Sequence, residues 1–362
     1  MKVAFVVGAR PQFVKAVPVS RALQRAGQKE VLIHTGQHYD YQMSQVFFDE
    51  MGLSPPAYNL GVGSGSHGKQ TGEMLARIEE VLIAEKPDVT VVYGDTNSTI
   101  AGAVASVKLG IPLAHVEAGL RSFNRSMPEE HNRVLTDHCA DLLLCPTENA
   151  VVNLAREGVT KGVYWVGDTM YDAVLQFSAA ARERSRILEK LGLTSREYFL
   201  ATVHRASNTD TPDVLRSLLT VFQMVDAPVV FPVHPRTRQC LQGEAVPTSN
   251  VRMIDPVGYL DMLVLEENAR AVLTDSGGVQ KEAFFFGVPC ITMRTETEWI
   301  ETVAAGWNVV VGNDCERILA ATLKTDWPTS KPPPLFGEGD AATRIVDLLE
   351  NGLISRSVEY GR

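Results

Sequence analysis

The chain has 362 residues, more than one hydrophobic core usually serves, and its length predicts about two domains. Hydrophobic residues make up 45% and charged residues 21% of the sequence, which excludes a disordered or low-complexity protein. The formal net charge of −9 argues against nucleic acid as a partner, because proteins that bind a phosphate backbone concentrate Lys and Arg.

The cysteines and the apolar runs predict the compartment. Five cysteines are an odd number and include no C-x-x-C pair, which argues against a disulfide framework and favours a reducing environment. The apolar run at residues 3–7 is too short for a signal peptide, and no run approaches the length of a membrane span. We therefore expect a cytoplasmic protein that does not bind a membrane.

The first half of the chain alternates short apolar runs with amphipathic segments. Runs of Val, Leu and Ile without polar alternation are typical of strands buried on both faces of a parallel sheet. These runs cover residues 3–7, 31–34, 89–93, 113–116 and 142–145. Apolar residues at helical spacing, as in 98–109, predict helices between the strands.

A second series of apolar runs follows a mostly helical stretch at about 168–191. The runs cover residues 198–203, 229–233, 251–254, 271–274, 289–293 and 309–311. Alternating strands and helices predict an α/β fold with two Rossmann-like, doubly wound parallel-sheet domains facing a cleft. We place the domain boundary near Gly167, giving domains 1–167 and 168–349, and expect the last helix, 341–350, away from the second sheet.

Three carboxylates stand at or after predicted strand ends in the first domain. Asp95 follows the third strand, Glu117 ends the fourth, and Glu129 follows a proline farther along the chain. Singly, Asp95 would cap a helix and Glu129 would complement a helix dipole. Together they would project from the carboxyl side of one sheet, where clustered carboxylates supply acid and base groups near neutral pH. The trio therefore predicts catalysis.

Basic side chains stand at other strand ends. Arg10 precedes a helix that Pro11 favours, and Lys15 follows about a turn later, which predicts an anion site. In the second domain, His204 and His234 each come directly after a predicted strand. A lone histidine is more often structural, but two at matching strand ends indicate a polar rim of a cleft.

A Ser-Gly-Gly turn is the sharpest local signal in the second domain. Ser276, Gly277 and Gly278 lead from a strand into a helix whose N–H groups would face an anion such as a diphosphate. Glu282 then stands where it could accept hydrogen bonds from a ribose diol. No histidine or cysteine spacing of a metal site occurs in the sequence, so we expect no metal.

These motifs, in this order, resemble those of the non-hydrolysing UDP-N-acetylglucosamine 2-epimerases. The resemblance spans nearly the whole chain, and the ordered set is specific although no single motif is. The motifs are G-A-R-P at 8–11, G-D-T at 94–96, V-E-A-G-L-R at 116–121, P-E-E at 128–130, N-R at 132–133 and T-D-S-G-G at 274–278.

The resemblance implies a fold like that of the glycosyltransferase-B enzymes, a homodimer, no cofactor, and a last helix, about 350–362, that packs on the first domain. It implies inversion at C2 of a UDP-2-acetamido sugar by anti elimination of UDP to a glycal and re-addition of UDP. The residues that match catalytic positions of the family are Asp95, Glu117, Glu129 and His204. Those that match UDP-binding positions are Arg10, Lys15, His204, His234, Ser276, Gly277, Gly278 and Glu282.

The chain departs from the family pattern at several places. Many members have R-P-E where this chain has Gln12 after Pro11, and T-E-R-P-E where it has T-E-W-I-E at 297–301. Many also have H-R-E, tied to allosteric activation by UDP-N-acetylglucosamine, where this chain has H-Y-D at 38–40. The G-A-R-P-Q-F form at 8–13 and the T-E-W form at 297–299 look more like the branch that acts on UDP-2,3-diacetamido-2,3-dideoxy-glucuronate.

UDP-N-acetylglucosamine is the predicted substrate, and the diacetamido-glucuronate is the alternative. A UDP-sugar glycosyltransferase of the same fold, a hydrolysing epimerase and a catalytically silent nucleotide-sugar sensor are further alternatives. The presence of all three carboxylates argues against the sensor.

Overall fold

A computed structural model of the protein describes residues 1–36, 50–241 and 250–352. The chain forms two units, Met1–Gln176 together with the chain from Pro334 onward, and Phe177–Pro333. The H-Y-D run at 38–40 lies outside the described residues. In the part of the chain that is described, no helix is long and apolar enough to cross a membrane.

The first unit contains a parallel sheet of seven strands in the order β3-β2-β1-β4-β5-β6-β7. The strands are β1 (Lys2–Val7), β2 (Lys29–His34), β3 (Tyr58–Asn59), β4 (Val89–Tyr93), β5 (Leu113–Val116), β6 (Leu142–Cys145) and β7 (Val163–Trp165). Because successive strands extend the sheet in opposite directions from β1 and β4, the switch point of this sheet lies between these two strands.

Helices connect these strands. They are α1 (Arg10–Arg25), α2 (His67–Glu85), α3 (Asn97–Lys108), α4 (Pro128–Cys139), α5 (Glu148–Arg156) and α6 (Thr169–Arg184). In α2, the buried residues Met74, Ile78 and Leu82 recur every four positions and line one face. A β-carbon on Gly102 of α3 would lie 3.1 Å from side-chain atoms of both Val6 and Val92, so α3 packs directly over β1 and β4.

The second unit repeats the topology with six parallel strands in the order β10-β9-β8-β11-β12-β13. The strands are β8 (Phe199–Thr202), β9 (Val229–Pro232), β10 (Val251–Ile254), β11 (Ala271–Thr274), β12 (Cys290–Thr292) and β13 (Asn308–Val310). Its switch point lies between β8 and β11. The core contains inward-facing strand residues such as Phe231 and Leu273 and helix residues such as Leu218 and Phe222, all buried.

Most of the other helices in the described part of the chain are short. They are α7 (Ile187–Leu191), α8 (Ala206–Thr209), α9 (Pro212–Met224), α10 (Pro235–Cys240), α11 (Tyr259–Glu267), α12 (Gly277–Phe285), α13 (Ile300–Ala304), α14 (Cys315–Thr322) and α15 (Ala341–Gly352). Of these, α15 belongs to the first unit, where it lies against α1.

The division between the units differs from the predicted boundaries at 167 and 349. The first unit extends to Gln176 because the start of α6 is bonded to the returning chain. The Asp172 carboxylate accepts hydrogen bonds from the N–H groups of Ala341 and Ala342 at 3.3 and 2.7 Å. The chain therefore returns to the first unit at Pro334. Residues 353–362 of the predicted terminal helix lie outside the described residues.

Candidate functional site

Asp95 lies in the turn that joins β4 to α3, at the switch point of the first sheet. The Arg133 guanidinium of α4 forms an ion pair with its carboxylate, and Asn132 Nδ2 donates to its backbone oxygen at 3.0 Å. The side chain remains 30% exposed despite the ion pair. Asp95 is thus held in place and stays accessible to a ligand.

Glu117 follows β5 with left-handed backbone, φ +72°, which is strained for a residue with a side chain. Its carboxylate forms an ion pair with Lys15 Nζ, and both side chains are nearly buried. A β-carbon on Gly94 would lie 3.2 Å from Glu117 Oε2 and 3.5 Å from Lys15 Nζ. The Glu117 carboxylate therefore lies against the turn that carries Asp95, so the structure brings these two predicted residues together.

The start of α1 holds the other predicted basic residues of this unit. Arg10 begins the helix at the carboxyl edge of the sheet, where an anion site was predicted. Lys15 was predicted to bind UDP, but within its own unit its charge is paired with Glu117. Gln12 accepts the N–H groups of Gly8 and Ala9 through Oε1, at 2.8 and 3.0 Å.

The amide of Gln12 also explains one departure from the family pattern. Its Nε2 donates to Tyr93 O at 2.7 Å and to Thr99 Oγ1 at 3.1 Å. A glutamate carboxylate in this position could accept the same backbone N–H groups but could not donate to the Tyr93 carbonyl. The substitution therefore ties the start of α1 to the end of β4.

A buried polar network behind Glu117 fixes both turns. His115 Nδ1 lies 2.7 Å from Asp137 Oδ1, and its Nε2 lies 2.7 Å from the carbonyl oxygen of Gly94. The imidazole therefore bridges the Asp137 carboxylate and the backbone of the turn at Gly94. Asp137 also accepts Arg121 Nη1 at 2.7 Å and the N–H of Gly119 at 3.1 Å.

The same network determines the state of Asp137. Burial alone would raise the pKa of this carboxyl, but hydrogen bonds and positive charges from His115 and Arg121 outweigh burial and hold its pKa below the ordinary value. The carboxylate is therefore a fixed anion that joins β5, the turn after it and α4.

Glu129 and Glu130 are adjacent in α4 but differ in their surroundings. The buried Glu130 carboxylate accepts the N–H groups of Ser122 and Phe123, each at 2.9 Å, and Arg133 Nη1 at 2.9 Å. Glu129 is half-buried and makes no side-chain hydrogen bond or ion pair within the described ranges. Glu130 is thus a structural residue, while Glu129 has its carboxyl available, although no hydrogen bond or ion pair among the described residues joins it to Asp95 or Glu117.

In the second unit, Asp275 joins the turns after β8 and β11. This fully buried carboxylate accepts the backbone N–H groups of His204, at 3.1 Å, and Arg205, at 3.0 Å, as well as Asn208 Nδ2 at 3.1 Å. The imidazoles of His204 and His234 lie 5.7 Å apart between ring centroids. The two predicted histidines therefore share the carboxyl edge of this sheet.

The predicted anion site begins α12. Ser276 caps the helix, and its Oγ accepts the N–H of Val279 at 3.5 Å. Gly277 and Gly278 form the first turn, where N–H groups have no partner within the helix, and Glu282 lies buried one turn farther on. A β-carbon at Gly277 would lie 2.9 Å from Glu298 Oε1, so this carboxylate would have to shift to accommodate a larger residue.

Charged residues that sequence reasoning had not selected surround this helix start. The buried Glu298 lies 2.9 Å from Arg294 Nη2 and 3.8 Å from Arg205 Nη2. Lys281 Nζ lies 4.0 Å from the centroid of the Trp299 ring. Among the residues that the structure describes, no group of three or more His, Cys, Asp and Glu side chains could hold a metal ion.

Similarity to known proteins identifies the family. The sequence profile described as UDP-N-acetylglucosamine 2-epimerase matches residues 21–350. The chain belongs to this family. That membership confirms the family predicted from the motifs and places the protein among the isomerases.

Three family members give the extent of the similarity. The UDP-N-acetylglucosamine 2-epimerase homolog of Methanococcus maripaludis is 52% identical, covering 97% of this chain and 100% of that protein. The UDP-2,3-diacetamido-2,3-dideoxy-D-glucuronate 2-epimerase of Pseudomonas aeruginosa is 48% identical, covering 96% and 99%. The crystal structure of Methanocaldococcus jannaschii UDP-GlcNAc 2-epimerase in complex with UDP-GlcNAc and UDP has a TM-score of 0.90 and 44% identity, covering 97% and 99%.

The structural likeness also confirms the predicted fold class, an α/β protein with two doubly wound parallel sheets. Sequence reasoning missed Arg133 and the His115–Asp137 pair as supports of the family's carboxylates. The sequence did mark both places: Arg133 belongs to the N-R motif, and His115 is a titratable residue inside an apolar strand.

Proposed function

We propose that the protein is a non-hydrolysing 2-epimerase that interconverts UDP-N-acetylglucosamine and UDP-N-acetylmannosamine. The observation that carries the proposal is the placement of two carboxylates at the switch point of the first sheet, Asp95 facing Arg133 and Glu117 facing Lys15. The similarity to relatives named for this reaction supports the proposal.

The proposed chemistry needs groups of this kind. The C2 proton of the sugar is weakly acidic, so its removal must be coupled to departure of UDP through an oxocarbenium-like state. A carboxylate at C2 can accept the proton while another stabilises the developing positive charge. We assign these tasks to Asp95, Glu117 and Glu129, with Asp95 as the base. Anti elimination gives the glycal and leaves the C2 proton on the base. A second carboxyl group, protonated from solvent, then delivers a proton to the other face of C2, and UDP adds back to C1.

The leaving group needs the opposite charge. We propose that the helix start at α12 and nearby basic groups hold UDP and stabilise the diphosphate as it leaves, and that Glu282 binds the ribose. The residues assigned to UDP are Arg10, Lys15, His204, His234, Ser276, Gly277, Gly278 and Glu282. Holding UDP beside the glycal keeps the nucleophile at high effective concentration, which favours re-addition over release. We also expect a cytoplasmic homodimer, the assembly that the family resemblance implies.

A second candidate substrate is UDP-2,3-diacetamido-2,3-dideoxy-glucuronate. The 48% identity to the Pseudomonas aeruginosa enzyme named for that substrate favours it, as do the G-A-R-P-Q-F and T-E-W forms of the motifs. The chemistry at C2 would be the same, and only the groups on C3 and C6 would differ.

Incubation with each UDP-sugar separately in deuterated water, followed by NMR, tests the proposal. We expect a manno-configured UDP product that carries deuterium at C2 from UDP-N-acetylglucosamine. Conversion of the diacetamido-glucuronate alone would favour the second candidate. A product formed only with an added acceptor alcohol would favour a glycosyltransferase, and free N-acetylmannosamine would favour a hydrolysing enzyme.

Matched substitutions test the assigned carboxylates. Glu117→Gln and Asp95→Asn keep the size of each side chain and remove its charge, so turnover should fall by orders of magnitude while UDP still binds. Isothermal titration calorimetry with UDP checks that the nucleotide site is intact. Unchanged turnover in both variants would remove these residues from the mechanism.

A further inference from the structure

Phe123 is an exposed aromatic residue in strained backbone, in the loop between β5 and α4. Its φ is +58°, a left-handed value that costs a bulky residue free energy, and 70% of the residue is exposed. Burial of the ring in its own unit therefore does not offset the strain.

The loop that carries Phe123 is held rigidly. Its N–H and that of Ser122 both donate to the Glu130 carboxylate at 2.9 Å, and Ser122 Oγ donates to the same group at 2.8 Å. Farther along, Asn124 Oδ1 accepts the N–H of Ser126 at 3.0 Å. The backbone conformation at Phe123 is therefore built into the fold.

The same bonds link this loop to the predicted catalytic groups. Arg133 donates through Nη1 to Glu130 at 2.9 Å and forms its other ion pair with Asp95. The loop also lies between Glu117 and Glu129 in the chain. Arg133 thus links the Asp95 carboxylate, through Glu130, to the backbone of Phe123.

Strain of this kind is found where a site needs a side chain in one orientation. We propose that Phe123 is a substrate-contacting residue whose ring packs on the apolar face of the 2-acetamido sugar. This inference rests on the proposed function, because it names what touches the sugar in that reaction. The ring supplies sugar affinity without contacting the uridine diphosphate.

Substitution by glycine separates this role from a structural one. Phe123→Gly relieves the left-handed strain, so its melting temperature should equal or exceed that of the wild type by up to roughly 3 °C. Its KM for the UDP-sugar should rise about tenfold, the scale of one aromatic packing contact. The Kd for free UDP should change less than about twofold.

Two further variants complete the experiment. Lys86→Gly relieves left-handed backbone at φ +48° after α2 and should leave KM unchanged. Phe123→Leu keeps the backbone strained but loses the aromatic face, so its KM should also rise, which excludes loop flexibility as the cause.

The outcomes distinguish this inference from the proposed function. No turnover by the wild-type protein would overturn the proposed function. Wild-type turnover with an unchanged KM in Phe123→Gly would overturn the inference alone. A change in oligomeric state of Phe123→Gly, measured by size-exclusion chromatography with light scattering, would also overturn it, because the ring would then belong to a subunit contact.

Discussion

Replacing Gly94 by Ala tests how closely the backbone must approach the Glu117 carboxylate. Gly94 has φ +62°, so an alanine there costs roughly 1 kcal/mol of backbone strain. Its β-carbon would also lie 3.2 Å from Glu117 Oε2 and 3.5 Å from Lys15 Nζ. The first distance is too short for ordinary contact, so the carboxylate must move by a few tenths of an ångström.

Gly110 provides the matched control. It has φ +70°, and a β-carbon there would meet nothing within 4 Å. Gly110→Ala should therefore lose the same backbone contribution, roughly 1 kcal/mol, without disturbing any side chain. The difference in turnover between the two variants isolates the effect of the contact with Glu117 and Lys15.

Urea unfolding and epimerisation kinetics provide the assay. Both alanine variants should lose similar unfolding free energy, but only Gly94→Ala should lose turnover, by about 10- to 100-fold, since small displacements of a catalytic group are costly. Equal turnover in the two variants would refute the reasoning, because the position of Glu117 would then not limit the reaction.

Three further predictions concern two buried carboxylates and the start of α12. Asp137→Asn removes the anion that faces the buried Arg121 and should lower the free energy of unfolding in urea by about 3–5 kcal/mol. Glu157→Gln, at a carboxylate that is 27% exposed, should lower it by about 1 kcal/mol or less. Equal losses in the two variants would contradict the assigned network. Burial, assisted by neighbouring carboxylates and opposed by two N–H groups, raises the pKa of Asp172 from 3.8 to about 6. The folded protein therefore holds this proton more tightly than the unfolded chain does. The difference in unfolding free energy between the wild type and Asp172→Asn should be most favourable to the wild type below pH about 4 and fall by about 3 kcal/mol as the pH rises past 6. A difference independent of pH would contradict the raised pKa. Gly277→Ala places a β-carbon 2.9 Å from Glu298 Oε1 and should weaken UDP binding about tenfold in calorimetry, and wild-type affinity would remove this helix start from the nucleotide site.

The local pattern of the sequence was sufficient for the fold class. Long apolar runs such as 89–93 and 271–274 became β4 and β11 within a residue or so, because strands buried on both faces need uninterrupted apolar residues. The edge strands β3 and β7 gave no such signal, since they span only two and three residues and are not fully buried. The strand ends also placed Asp95, Glu117 and Ser276 correctly at the carboxyl edges of the sheets.

The sequence by itself therefore determined the α/β alternation, the edge at which polar residues gather and, through ordered motifs, the family. Tertiary structure alone decided which charges meet. Lys15 pairs with Glu117 and Arg133 with Asp95 although many residues separate each pair, and Glu130 became structural while the adjacent Glu129 did not. Apolar periodicity is local and can be read along the chain, whereas an ion pair depends on how distant elements pack, which no short stretch of sequence encodes.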